Sequence, residues 1–273
     1  MAKIFFTSFR KNTMQISPIN YNYSYKSQSP AFNANRREVF DKSGKMLYKT
    51  TTYFFRDDIH WNEFITFLQQ KYKDADKVNF IVHCCSNGPE AYSCATSLID
   101  RLGDKADKFL PILAKDINPE NIEHAKRHSS MGLSEVDFYR ANYYLKDRLG
   151  SYFNFVPPKL RESSLALVPN NNLKTKVVFE QGDIFKDIEK MSSKNTVLMC
   201  RNFWPYLSYD EKKDLAQKLS EKFDNTSLIV IGDFDCIEGA ANSFLLDNGF
   251  VQSNTKNVYT KPAANNTSLY CFI

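Results

Sequence analysis

Glycine is scarce in this chain, with nine in 273 residues and no Gly-x-Gly-x-x-Gly, which argues against a nicotinamide dehydrogenase. Long apolar runs are missing too. Nothing approaches the roughly 18 to 20 uninterrupted apolar residues of a membrane span, and the block MAKIFFTSFRKN is too short in apolar residues for a secretory signal. The chain therefore reads as untargeted. Its six cysteines, Cys84, Cys85, Cys94, Cys200, Cys236 and Cys271, show no Cys-x-x-Cys spacing. Several lie in apolar runs, where a reduced thiol behaves as a small hydrophobe, as in a reducing cytoplasm. Among the four histidines, His124 and His128 stand four apart, a spacing that could hold zinc, but no third ligand is near and no metal site is expected. His83 falls inside an apolar run and reads as a strand residue. Charge of one sign is not concentrated either: 36 basic and 31 acidic residues are interspersed, giving +5, so nucleic acid is not the expected partner.

What is present is an ordinary globular composition, 42% hydrophobic and 25% charged, with length for one large α/β domain plus an appendage. Residues 1 to 40, rich in Asn, Ser, Tyr and Pro, read as an extended or disordered arm, and 41–273 as the folded domain. After Arg56 the apolar residues fall at helical spacing, with Asp57 and Asp58 suited to a helix start. VNFIVHCC (78–85) and FLPILAKD (109–116) are continuous apolar runs followed by helical patterns over 89–102 and from Pro119. Alternating strand and helix imply a mostly parallel sheet.

A helix is expected over 134–149. The texture then shifts to short β-like pieces, YFNFV, SLALV and KVVFE, which make 153–180 a candidate β-subdomain. The parallel pattern resumes with TVLMC (196–200), a helix over 209–223, the strand SLIVIG (227–232), a helix over 237–248, and two terminal strands around FVQS and SLYCFI. The predicted architecture is a Rossmann-like, mostly parallel seven-stranded sheet with an antiparallel C-terminal strand and a small β insertion.

In such a sheet ligands bind beyond the carboxyl ends of the strands, and four polar turns fall there. In CSNGPEAYS, Gly88 allows close backbone approach and Glu90 enters the first helical turn. Asp116 ends the next strand, where an acid can take both hydroxyls of a ribose or cap the following helix. In QGDIF, Asp183 can accept from an adenine amino group or cap a turn. In CRNFWPYL, Arg201, Asn202, Trp204 and Tyr206 converge where each polar group would need a partner if buried.

Over about 45 to 273 these segments resemble the CheR-type chemotaxis receptor methyltransferases, class I enzymes that use S-adenosylmethionine (SAM) to esterify glutamate side chains. Their Thr and Phe-Phe-Arg segment is matched by Thr52-Tyr53-Phe54-Phe55-Arg56, and their Ser-Thr-Gly-Glu-Glu-Pro-Tyr-Ser turn by Ser86-Asn87-Gly88-Pro89-Glu90-Ala91-Tyr92-Ser93. Asp116-Ile117-Asn118 stands for Asp-Ile-Asp, and Cys200-Arg201-Asn202-Phe203-Trp204-Pro205-Tyr206-Leu207 for Cys-Arg-Asn-x-x-x-Tyr-Phe. Departures are Thr50 in place of Asn, Pro89 for the first Glu, Asp183 for Asn, and Pro205 before Tyr206. The family's N-terminal helical domain has no counterpart in the first 40 residues.

The resemblance implies SAM as cofactor. Thr50, Thr52 and Arg56 would serve its amino-acid end, Gly88 the close approach, Glu90 the ammonium and Asp116 the ribose. Asp183 and Ile184 would flank the adenine, and Arg201 and Asn202 would complete the pocket. Arg56 and Tyr206 would position the acceptor carboxylate, and the 153–180 stretch would meet an acceptor protein of the chemoreceptor-like kind. Two rivals stay open. Asn202 to Tyr206 superficially resembles the Asn-Pro-Pro-Tyr loop of amino-group methyltransferases, one residue too long, and the chain could also be a SAM-binding module without transfer.

Overall fold

Four apolar runs become neighbouring parallel strands. In the computed structural model these are β3 (Asn79–His83), β4 (Ile112–Asp116), β8 (Val177–Gln181) and β9 (Thr196–Met199). With β10 (Leu228–Val230), β11 (Val251–Gln252) and β12 (Val258–Thr260) they form a seven-stranded sheet of order β11-β12-β10-β9-β3-β4-β8. Strand β12 is antiparallel to both neighbours, and the other pairings are parallel. The architecture is the Rossmann-like class I methyltransferase fold expected above.

The structure describes residues 52–157 and 165–263, together with the backbone strands β1 (Val39–Phe40) and β2 (Met46–Leu47), an antiparallel pair. The expected arm up to residue 38, Thr50, residues 158–164 and the expected SLYCFI strand lie outside the described residues. The chain divides after Arg37, and everything described belongs to Glu38–Ile273.

Strand alternation sorts the core into two layers. Phe80 and Val82 of β3, Val197 and Met199 of β9, and Leu228 and Val230 of β10 join one cluster with Phe54, Phe55, Trp61 and Leu98. Ile81, Leu198 and Ile229 point the other way, against Ile184, Leu215, Leu219 and Leu245. The first layer is covered by α1 (Trp61–Lys71), α2 (Pro89–Leu102), α3 (Pro119–Lys126) and α4 (Glu135–Leu145), with the short α5 (Asn171–Lys174). The second is covered by α6 (Ile184–Asp187), α7 (Tyr209–Lys222) and, past α8 (Asp233–Ile237), α9 (Ala241–Asp247). The crossovers leaving β3 and β9 therefore run to opposite faces. That opens a crevice at the carboxyl ends of these two paired strands.

Several local expectations change. Asp57 and Asp58 do not start the first helix: His60 caps α1, its Nδ1 accepting from the Glu63 amide at 3.4 Å, because both aspartates face arginines instead. The second separate sheet is β5-β7-β6, built from β5 (Met131–Leu133), β7 (Leu165–Pro169) and β6 (Phe153–Val156). The small sheet thus recruits Met131–Leu133 from before α4, whereas Val177–Gln181, expected inside 153–180, is the edge of the main sheet. The helix expected over 237–248 is present as Ala241–Asp247, starting after Gly239 and Ala240, whose φ is +52°, and a further short helix, Asp233–Ile237, precedes it. The last strand of the sheet is Val258–Thr260.

Candidate functional site

Five strand ends meet at the crevice. The turn after β3 bends sharply, with positive φ at Cys84 (62°), Ser86 (52°) and Gly88 (107°). Gly88 tolerates that conformation, and a Cβ there would stand 2.9 Å from the ring of Phe179. Pro89 then opens α2 at its first position, where its missing N–H costs nothing. Glu90 follows inside the protein.

Three segments converge on Glu90. Arg201, just past β9, is 3% exposed; its guanidinium pairs with Asp58 and lies 3.4 Å from Oε1 of Glu90. Burial pushes Glu90 up to about 7, opposed by Arg56 and reinforced by Asp235. Burial and the neighbouring Arg56 pull Arg201 below its usual range, against the opposite pull of Asp235, Asp233 and Asp57. Arg56, half-buried, thus belongs to the same electrostatic group, and its guanidinium stacks on Tyr53 at 4.9 Å. Thr52 is half-buried at the start of this segment.

The 52–56 segment is fastened to α2. Phe55, with φ of 48°, donates its amide to Ser93 Oγ at 3.0 Å, and Ser93 donates to the Pro89 carbonyl at 2.8 Å. Phe54 and Phe55 are fully buried, so the arginine that follows them has little freedom to wander.

Asp116 closes the next strand end. Its carboxylate accepts from the Ser86 amide at 2.7 Å and the Asn118 amide at 2.9 Å, with Asn121 Nδ2 at 3.4 Å. Burial raises its pKa against the pull of those donors. The helix cap at this point is Asn118, not Asp116, so Asp116 instead binds the first two turns together. Asp183 does cap α6, accepting from Phe185 at 3.1 Å, with Lys186 3.6 Å away. Ile184 is buried beside it.

The CRNFWPYL turn is organised by a residue that sequence reasoning passed over. Asp235, fully buried in α8, accepts from the amides of Asn202 (2.6 Å), Phe203 (2.9 Å), Trp204 (3.0 Å) and Gly232 (2.7 Å). This holds Asn202 at a φ of 62° and sets the half-buried Tyr206, whose ring centre lies 6.3 Å from Phe234. The available signal was GDFD directly after a buried strand. Asp58 was likewise visible in FFRDD but read as a helix start. His128 Nδ1 meets Tyr92 Oη at 2.8 Å.

These acceptors fit SAM. Glu90 Oε1 is buried with the Arg201 guanidinium 3.4 Å away, yet it accepts no hydrogen bond among the described residues, so it keeps capacity for an ammonium. Asp116 holds three donors on two oxygens, which have capacity for about four, so a ribose hydroxyl can be added.

A family model described as CheR methyltransferase, SAM binding domain, matches residues 50–249, well over half the chain. No curated protein matches. Among solved structures the chain resembles a TehB-like SAM-dependent methyltransferase from Corynebacterium glutamicum, at 13% identity and TM-score 0.37 over 72% of this chain and 87% of that one. It also resembles the magnesium protoporphyrin IX methyltransferase of Synechocystis PCC 6803 with bound S-adenosylhomocysteine (SAH), at 10% identity and TM-score 0.40 over 78% and 90%. Likeness of that size carries no weight beside the family match. On that match, and with a site that fits the cofactor, this chain belongs to the CheR methyltransferase family and is a SAM-dependent methyltransferase.

Proposed function

We propose that this protein transfers the methyl group of SAM to the carboxylate of a glutamate side chain on an acceptor protein. The observation that carries this reading is Arg56, a half-buried cation in the same electrostatic group as the Glu90–Arg201 pair at the mouth of the crevice. Arg201 directs its charge inward to Asp58 and Glu90, and in this reading Arg56 and Tyr206, in the two segments that resemble the family's Phe-Phe-Arg and Cys-Arg-Asn-x-x-x-Tyr, position the acceptor carboxylate. Bound SAM supplies an electrophilic methyl on a sulfonium. A carboxylate is already ionised at neutral pH, so the site has to orient it and exclude water rather than remove a proton.

The acceptor protein, in this reading chemoreceptor-like, meets the small sheet, whose strand β6 carries the exposed Phe155. A second reading, transfer to an amino nitrogen, draws on the likeness of Asn202-Phe203-Trp204-Pro205-Tyr206 to the Asn-Pro-Pro-Tyr loop of amino-group methyltransferases.

The test is to incubate the protein with methyl-labelled SAM and a host extract, then treat labelled protein with base. A carboxyl ester releases labelled methanol, and Arg56→Ala and Tyr206→Phe each lower the transfer rate at least about tenfold, as for loss of a charge-assisted or positioning contact. Base-stable label favours the nitrogen reading. Wild-type rates in both variants overturn the roles given to these residues, and SAM binding without any transfer marks a non-catalytic module.

A further inference from the structure

Outside the site just described, a second group of charged side chains lies buried under the turn that follows β8. His83, the last residue of β3, brings Nε2 to 3.1 Å from Oδ2 of Asp187, the last residue of α6. Lys115 of β4 stands 3.3 Å from the same oxygen and 3.5 Å from Glu180 of β8. Two adjacent strands thus hold the Asp187 carboxylate, and the third ties back to Lys115 through Glu180. The His83 and Asp187 side chains are 1% and 10% exposed, so their contact forms where water screens little. The His83 hydrogen bond, helped by Lys115, holds Asp187 below its ordinary carboxylate range despite burial.

The held carboxylate abuts the cofactor turn. A Cβ on Gly182 would stand 2.1 Å from Asp187 Oδ2, so only glycine lets the backbone lie there. Gly182 in turn donates to the Asp116 carbonyl at 3.0 Å, and the Asp187 amide donates to the Asp183 carbonyl at 2.8 Å. Helix α6 has four residues, too few to hold its place by its own hydrogen bonds. Its position must come from what it is tied to.

We propose that Asp187, anchored by His83 and Lys115, is a positioning residue that sets the Gly182–Ile184 turn against the adenosine half of SAM. The proposal rests on the reading that Asp183 and Ile184 flank the adenine. Asp187 acts through the turn and touches no cofactor atom itself.

The experiment is calorimetric titration of the full chain with SAH and with 5′-methylthioadenosine, which keeps the adenosine and lacks the amino-acid end, alongside thermal melting. Asp187→Asn is expected to weaken both ligands by the same factor, about tenfold, whereas Glu90→Gln weakens SAH alone. If Asp187→Asn melts lower yet binds both ligands as wild type does, or loses SAH only, the proposal is overturned and Asp187 is a purely structural residue. Should Asp187→Asn not fold, Lys115→Met, which keeps the His83 hydrogen bond, takes its place: an equal few-fold loss on both ligands supports the proposal and unchanged affinities overturn it. Wild-type protein that binds neither ligand overturns the cofactor reading and this inference together, a result distinct from normal wild-type binding with an indifferent Asp187→Asn.

Discussion

Glu90 carries the sharpest consequence of burial at the scale of one residue. Its carboxyl titrates near 7 in the folded protein against an ordinary value of 4.5. The folded state therefore holds a proton that the unfolded state has released, and stability contributed by Glu90 falls as pH rises from about 4.5 to about 7. Glu90→Gln is expected to melt near the wild type at pH 5 and above it at pH 8, which scanning calorimetry at the two values checks. Cofactor binding runs the opposite way, because the SAM ammonium prefers the ionised carboxylate. Affinity for SAH should climb as pH rises through 7 and then level, while Glu90→Gln gives a weak, flat profile by titration calorimetry. Gly88 supplies a second test at this scale. Its left-handed φ and the Phe179 ring 2.9 Å from a would-be Cβ predict that Gly88→Ala loses about 1–3 kcal/mol of stability from strain and weakens SAH binding, seen in melting and titration together. The acids at strand ends were legible as residues because Asp and Glu stand out after apolar runs. Their partners were not, since Arg201 meets Glu90 and Asp58 across more than a hundred positions of chain.

Among elements, the strands and helices with strong periodicity read correctly, and the exceptions have physical causes. Helix α2 runs from Pro89 to Leu102 as expected because a proline at its start and Gly103 just past its end mark the two termini. The helix expected over 237–248 starts only at Ala241, because a Cβ added at Gly239 would meet the Asp235 carbonyl at 2.5 Å and Trp204 at 2.8 Å: the chain passes too close to the 200–206 turn to be helical there. Met131–Leu133 was missed as a strand since three residues carry no period, and it exists by pairing with Leu165–Leu167. Long-range pairing also decided which β-like piece joined which sheet. Helix α8 acts on the site through Asp235, so Asp235→Ala, which strands four backbone amides, is expected to cost on the order of 3–5 kcal/mol. Urea unfolding measures that loss. Ser208→Ala, which removes the capping box of α7 at the exposed start of that helix, should cost only about 1 kcal/mol and leave SAH affinity unchanged.

For the whole molecule, the sheet order and the opposite crossovers of β3 and β9 place every polar turn noted in the sequence along one edge. Alternation of strand and helix made that fold legible from the start, and the ordered turns made the family legible. What stayed hidden was the inner wiring, in which Asp58, Asp235 and Asp187 each join segments far apart in sequence and carry no local pattern. The same edge holds the buried acids, the arginines and Tyr206, so cofactor and acceptor would meet at its centre. Among the described residues no helix is long and apolar enough to cross a membrane. The claim beneath all of this is that the strand-end acids hold SAM, and its most direct test is SAH titration of wild type beside Asp116→Ala at pH 8. The structure predicts one site per chain in the wild type and an affinity about 10- to 100-fold lower in the variant, from loss of a charged hydrogen-bond acceptor. Equal affinity in the two proteins, or no binding by the wild type, would contradict it.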